Sequence, residues 1–212
     1  MYDTSMYRSS STRIFPIILI IVIVIALIAG IVTVGNYIFG GGNKDADQQK
    51  THAETARDEL LKVDADRSVR MTIRGPIVAN ETFRSYQVTI SPAQREYVVY
   101  KGYLEDVKSR KTFSNNTEAY EQFVHALDKA ALTKAGKYTE EQASDLRGVC
   151  ATGRVYQYEI LNEGSVVNSF WTSTCKGSPG TFGASVQQVT SLFSNQIPEK
   201  VEYDNQFATP TL

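Results

Sequence analysis

The pattern of hydrophobic and polar positions divides the chain into three parts. Residues 15–39 form one run of uncharged, mostly β-branched or Leu side chains, and no charge occurs between Arg13 and Lys44. A polar stretch rich in helix-forming residues follows, up to about position 66. From Ser68 onward, apolar residues recur at every second position in some segments and at every third or fourth position in others. Those two periods are typical of the strands and helices of a mixed domain.

The apolar run is long enough to cross a membrane. Its 25 residues measure about 37 Å as a helix, whereas the hydrocarbon core of a bilayer is about 30 Å thick. A cleaved signal peptide normally has a shorter apolar region, so we predict a retained signal anchor over residues 15–39. The flanking Lys and Arg residues are balanced, and the short tail (residues 1–14) is therefore expected in the cytoplasm because the longer part is the one translocated. The sequence thus predicts a single-pass cell-membrane protein with an extracytoplasmic domain.

Residues 40–66 are predicted to form a Gly linker followed by a helical stalk. A seam of Ala, Leu and Val residues with one Gln recurs there in steps of three and four, at Ala46, Gln49, Ala53, Ala56, Leu60 and Val63. Such a seam permits a weak homodimer through the stalk, but its core is only Ala and Gln over fewer than three repeats. The pattern therefore favours a single helix that docks its Leu60 end on the domain.

Residues 67–198 are predicted to form an α+β domain with about five antiparallel strands, in the order β-β-β-α-α-β-β-α. The first three strands are expected near residues 68–74, 83–90 and 95–103, where apolar and polar residues alternate. Short links join them, which indicates an antiparallel meander. The three helices are expected from Asn116 or Thr117 to about Lys134, from Thr139 to about Leu146, and from Ser185 to Pro198. The polar residues 199–212 are predicted to form a flexible tail.

Cys150 and Cys175 are the only cysteines, and in an oxidising compartment they are expected to form a disulfide. Two β-prone stretches lie between them, on either side of Asn162-Glu163-Gly164. That tripeptide favours a type I turn with a left-handed Gly and a bulge. Because both cysteines are equally far from the turn, we expect them opposite each other at the open end of a hairpin. A reactive thiol with His125 or His52 as its base is the weaker alternative.

Composition excludes several kinds of chemistry. The chain has 22 Lys and Arg against 23 Asp and Glu, which argues against a basic nucleic-acid-binding protein. Two histidines and two cysteines leave little for a metal site, and we predict no metal and no cofactor. The acidic pairs Glu105-Asp106 and Glu140-Glu141 consist of adjacent residues whose side chains point apart, so solvated charge is favoured over a glycosidase-like pair. Glu159 lies in the middle of a predicted strand, where an ion pair with an Arg is expected.

Two candidate binding features remain in the domain. The glycine-rich stretch of Lys176, Gly177, Gly180 and Gly183 is a weak candidate for an anion-binding loop, although its spacing matches no nucleotide-binding motif and favours a plain turn. The aromatic hairpin residues are a candidate surface for a sugar or protein: Trp171, Tyr156, Tyr158 and Phe170. The same residues also suit a sheet core, which is the favoured interpretation. Asn80 and Asn115 each begin an Asn-x-Thr glycosylation pattern.

These observations favour a membrane-anchored interaction module of the cell envelope or surface that binds a protein or glycan partner. No catalytic constellation is apparent in the sequence, so we do not predict an enzyme. The alternatives are an extracytoplasmic hydrolase acting on envelope polymers, or an accessory subunit of a membrane complex that is recruited through the span and stalk.

Overall fold

The computed structural model describes residues 53–103, 106–136 and 145–198. Within these ranges, one antiparallel sheet of six strands is combined with three helices and a disulfide. The α+β class predicted from the sequence is therefore confirmed. The predicted membrane span, the Gly linker, the start of the stalk and the C-terminal tail lie outside the described residues.

The strands follow the order β4-β3-β2-β1-β5-β6 across the sheet, and every neighbouring pair is antiparallel. The strands are β1 (Arg67–Arg74), β2 (Arg84–Ile90), β3 (Gln94–Lys101), β4 (Asp106–Ser114), β5 (Val155–Asn162) and β6 (Ser165–Ser173). The helices are α1 (described over residues 53–60), α2 (Thr117–Lys129) and α3 (Val186–Ser194).

The core lies on one face of this sheet. Successive side chains of a strand point to opposite faces, and the alternation in β1 places Val69, Met71 and Ile73 in the core. The same core contains buried residues of all three helices, including Leu60, Phe123 and Phe193. The polar residues that alternate with these core residues point to the other face of the sheet. We call it the open face, because the helices pack on the opposite side.

The sheet has six strands and not the predicted five, and the unpredicted strand is β4. β4 contains Lys108, Arg110 and Lys111 and is exposed along most of its length. It has no alternation of apolar residues, because it pairs with β3 at the edge of the sheet and buries little on either face. Charged side chains on an edge strand discourage pairing with other chains. Because they replace the apolar residues of a normal alternation, the hydrophobic period of the sequence does not predict this strand.

Helix α2 begins as predicted but ends earlier. The Asn116 side chain accepts a hydrogen bond from the Ala119 N–H at 2.8 Å, which caps the helix. The helix ends at Lys129 and not near Lys134, because Ala131 takes a left-handed conformation (φ 59°). This turn brings Leu132 into the core, where it is fully buried. Of the short helix predicted over residues 139–146, only the last two residues are described, and they are not helical.

Helix α1 is part of the folded core. Ala56 and Leu60 are each 1% exposed, and both pack in the main hydrophobic cluster. The Arg57 guanidinium donates two hydrogen bonds to the Asp128 carboxylate of α2, at 2.6 and 2.8 Å. These bonds hold the pKa of Asp128 below its usual range. The end of the predicted stalk therefore contributes to the stability of the domain.

The β5–β6 turn differs from the predicted one. Asn162 pairs directly with Ser165, so Glu163 and Gly164 alone form the loop. Both have positive φ values, 52° and 76°, as in a type I′ turn, whose twist matches that of the strands. The bulge is not in the turn but beside it, where the register shifts between Ile160 and Leu161. Glu163 consequently adopts a left-handed backbone conformation, which residues other than Gly and Asn take less often.

We predict that Leu60→Ala lowers the free energy of unfolding by about 2–4 kcal/mol, the cost of deleting a buried Leu side chain. The measurement is urea unfolding of the full-length chain in detergent, followed by tryptophan fluorescence. Glu54→Ala, on the exposed side of the same helix, is the matched control and should change stability little. An equal effect of the two substitutions would show that α1 does not contribute to the core.

We also predict that Glu163→Asn raises the free energy of unfolding by about 0.5–1 kcal/mol, because Asn tolerates the left-handed conformation better than Glu. Thermal unfolding of the two chains measures the difference. Gly164→Val should destabilise the same turn, since a β-branched residue is disfavoured at its φ of 76°. A destabilising Glu163→Asn would contradict the assigned turn.

Candidate functional site

The predicted disulfide between Cys150 and Cys175 is confirmed, with 5.4 Å between the two Cα atoms. The cysteines lie beyond the β5–β6 ladder, which ends at the pair Val155 and Ser173. A turn closed by the Gly153 N–H and the Cys150 carbonyl brings the first cysteine to the second. The bond therefore holds residues 145–154, which we call the disulfide loop, against the open end of the hairpin. It also rules out a reactive thiol, since both cysteines are consumed.

The aromatic surface predicted on the hairpin is core. Tyr158, Phe170 and Trp171 are buried, and Tyr156 is half-buried. Tyr158 packs on the Phe182 ring at 4.7 Å, and burial raises the pKa of its phenol. Trp171 points to the other face and packs in a small cluster with Cys150 and Val155. These four residues therefore form no continuous exposed platform. Their burial agrees with the sheet-core interpretation that the sequence favoured.

Gly180 and Gly183 of the Lys176–Gly183 segment allow close backbone packing, whereas a Cβ on Gly177 would meet open space. A Cβ on Gly180 would lie 2.1 Å from the Trp171 carbonyl oxygen, and one on Gly183 would lie 2.1 Å from that of Ala135. The Gly183 N–H is already bonded to the Lys134 carbonyl. A phosphate-binding loop needs several N–H groups that converge on one point, whereas the Gly183 N–H of this segment is bonded within the protein. Lys176 and Gly177 are exposed at its start.

Other predicted candidates lie apart from one another. His125 is exposed on α2. The described residues contain no cluster of three or more His, Cys, Asp or Glu side chains suited to a metal ion. In the same ranges, no helix has the length and apolar character needed to cross a membrane. Glu105, Glu140, Glu141 and His52 lie outside the described residues.

The open face carries a network of polar side chains across its central strands. Arg70 donates to Glu159 at 2.7 Å, which is the ion pair expected for that carboxylate. Gln157 donates to the other oxygen of Glu159 at 2.9 Å. On the other side of β1, the Gln87 amide donates to Thr72 Oγ1 at 3.2 Å. The polar side chains of Arg70, Glu159, Gln157, Gln87 and Thr72 are therefore bonded to one another within the sheet.

Arg74, the last residue of β1, is the exception. Its Nη2 donates to Gln157 Oε1 at 3.2 Å, but its buried Nε has no hydrogen-bond partner. Among the described residues, no carboxylate forms an ion pair with it. Burial lowers the pKa of its guanidinium, and the charge of Glu159 opposes that effect. The Oγ of Ser85, its cross-strand neighbour on β2, is also buried without a partner.

An exposed apolar rim borders the Arg74 position. We define the rim by four side chains that are 39–49% exposed: Ile77, Val78, Tyr103 and Val107. The Tyr103 hydroxyl donates to the Val78 carbonyl at 2.7 Å, and its ring stacks on the buried Phe83 at 3.9 Å.

Two connections tie the rim to Arg74. Val107, Tyr100, Ser85, Arg74 and Val155 occupy one row across the sheet. The β1–β2 loop, which carries Ile77 and Val78 of the rim, follows Arg74 directly. Its Ile77 N–H bonds to the Ala151 carbonyl of the disulfide loop at 2.8 Å. The rim, Arg74 and the disulfide loop therefore form one end of the open face.

The two glycosylation patterns differ in their surroundings. Asn80 is exposed in the β1–β2 loop, where its Oδ1 accepts a hydrogen bond from the Tyr103 N–H at 3.3 Å. The Asn115 Nδ2 is already committed, since it donates to the Ser91 carbonyl at 2.7 Å. Asn80 is thus the position where a glycan would fit without breaking a side-chain donor bond, and it adjoins the rim.

We predict that replacing both cysteines, Cys150→Ser with Cys175→Ser, lowers the free energy of unfolding by about 3–4 kcal/mol, the loop entropy expected for a separation of 25 residues. Urea unfolding of the full-length chain with and without reductant measures the effect. Reductant should destabilise only the parent chain. Equal stability of the two oxidised proteins would contradict a structural role for the bond.

Comparison with known proteins adds no relative: no protein-family model matches the chain, and no curated protein matches its sequence.

Proposed function

We propose that this chain is a membrane-anchored interaction module of the cell envelope or surface, and that its extracytoplasmic domain binds a protein or glycan partner. The apolar rim beside Arg74 carries the proposal. Six large apolar side chains of the described residues are exposed, and four of them form this rim. Scattered exposed apolar residues are ordinary, whereas a cluster rimmed by polar groups marks an interaction site.

The composition of the surface supports the same proposal. Tyr and Arg are enriched among the residues that contribute most binding energy in protein interfaces, where the surrounding contacts exclude water from them. Tyr103 is anchored by its hydroxyl bond and by the stack on Phe83. A side chain that is already fixed loses little conformational entropy on binding, which favours affinity.

The anchoring part of the proposal depends on the sequence and on the disulfide. The apolar run of residues 15–39 has the length of a membrane helix. The Cys150–Cys175 bond supports an oxidising compartment, since disulfides rarely persist in the reducing cytoplasm. Together they support placing the domain on the outer side of the membrane.

We expect a photo-reactive phenylalanine derivative at position 78 or 107 to capture one discrete partner in intact cells. Position 167 is the matched control, since Val167 is similarly exposed but lies near the β5–β6 turn, away from the rim. Cross-linked products are measured by their mass after purification of the full-length chain. The same products at all three positions, or none at the rim, would contradict the proposal.

The substitution Tyr103→Asp extends the cross-linking experiment. A charge in the rim should abolish capture from position 107, because a desolvated carboxylate in an apolar interface is costly. Val166→Asp, at an exposed position outside the rim, should leave capture unchanged. Release of sugars or peptides from envelope polymers by the purified chain, undiminished by Tyr103→Asp, would instead favour the hydrolase alternative.

A further inference from the structure

Arg74 is a cation that the described residues do not neutralise. The carboxylate that acts on it electrostatically is Glu159, and that group is already bonded to Arg70 at 2.7 Å and to Gln157 at 2.9 Å. A partly buried guanidinium without a bonded carboxylate lowers the stability of a fold, because the loss of hydration is not offset. An apolar residue of similar size would fit the position at lower cost.

Ser85 gives an independent indication at the same place. Its side chain is 0% exposed, and its Oγ has no hydrogen-bond partner. Buried hydroxyls are normally bonded, so an unbonded one calls for an explanation. Ser85 lies directly across from Arg74 in the β1–β2 ladder, on the same face. The Arg74 Nε–H and the Ser85 O–H thus belong to paired residues on one face of the sheet, and both lack an acceptor.

We propose that Arg74 and Ser85 form a carboxylate-binding site, and that its ligand is a Glu or Asp side chain within an apolar segment of a protein partner. This inference rests on the proposed function, because the apolar rim supplies the contacts around the carboxylate. Arg–carboxylate pairs with two parallel hydrogen bonds are among the strongest polar contacts in proteins.

The charge of the site favours a carboxylate over a phosphate. One guanidinium is uncompensated, and it matches a single negative charge. Glu159 acts electrostatically on Arg74, so its negative charge would also act on a dianionic ligand bound there. Repulsion from that carboxylate disfavours a second negative charge on the ligand.

The rim favours a peptide over a sugar. Three of its four side chains are aliphatic, namely Ile77, Val78 and Val107, and they suit the Leu, Ile and Val side chains of a peptide. Sugars bind best on exposed aromatic faces, but Tyr103 has one ring face covered by Phe83 at 3.9 Å. An acidic glycan is therefore the weaker candidate for the same anion site.

Binding requires a rearrangement of the surrounding side chains, because Arg74 Nε and Ser85 Oγ are both buried. The hydrogen bond that must yield is the one from Arg74 Nη2 to Gln157 Oε1, at 3.2 Å. A neutral amide acceptor is thereby exchanged for a charged one, and charge-assisted hydrogen bonds are about twice as strong as neutral ones. The exchange favours the bound state.

Two libraries of short, N-acetylated and C-amidated peptides test the inference. In both, Leu, Ile and Val are randomised around one fixed position, which is Glu in the first library and Gln in the second. The full-length chain, purified in detergent and immobilised, should retain the Glu library about tenfold more than the Gln library. This comparison needs no variant, so it does not depend on the folding of a mutant.

Variants then locate the preference. Arg74→Gln should abolish it, and Ser85→Ala should reduce it. Arg110→Gln is the matched control, because Arg110 is an arginine on the same sheet that is paired with Glu96 at 3.0 Å; it should keep the preference. Thermal unfolding of each variant identifies any that fails to fold, and Arg74→Lys, which keeps the charge but not the fork of donors, should show an intermediate preference.

Three results would overturn the inference. Equal retention of both libraries, lost in Tyr103→Asp, would leave the rim as a partner site but exclude a carboxylate ligand. A Glu preference that survives Arg74→Gln in a folded chain would place the anion elsewhere. Retention of an oligosaccharide of uronic acids but of neither peptide library would assign the site to an acidic glycan. Cross-linking at positions 78 and 107 tests the proposed function separately.

Discussion

The pairing of β1 with β2 on one side and with β5 on the other is the interaction on which the rest of the structure depends. β5 lies about ninety residues after β1, and eight successive residue pairs join them. This long-range ladder closes the sheet around β1 and gives that strand two chemically different faces. Val69, Met71 and Ile73 hold the helices, whereas Arg70, Thr72 and Arg74 organise the polar open face. The proposed site exists because the same pairing brings the disulfide loop beside the β1–β2 loop.

The sequence was informative wherever one face of an element is buried. The alternation of Val69, Met71 and Ile73 predicted β1, Asn116 predicted the start of α2, and the two cysteines predicted their bond. β4 could not be found in this way, because Lys108, Arg110 and Lys111 at a sheet edge leave no hydrophobic period. The early end of α2 at Lys129, before the left-handed Ala131, depends on tertiary packing, since burial of Leu132 outweighs the helix propensity of the residues that follow.

The candidate site was less predictable than the fold. The hairpin aromatics drew attention as a surface, but Trp171 and Tyr158 are core residues on opposite faces of the sheet. Arg74 belongs to no sequence motif. It is a candidate site residue because of its neighbours in the fold: Ser85 on one adjacent strand, Val155 on the other, and a carboxylate that is already bonded to Arg70. None of these relations is encoded within a short stretch of sequence. A positive charge at the end of a strand, directly before Gly75-Pro76, was the one local sign.

We propose that the rim beside Arg74 is covered by a partner where the protein works. Hydroxyl-radical footprinting of the full-length chain, in intact cells and again after purification in detergent, tests it most directly. We expect Tyr103 to be oxidised readily in the purified chain and to be protected in cells, while Val166 and Val167 react equally in both. Equal oxidation of Tyr103 in the two preparations would contradict it.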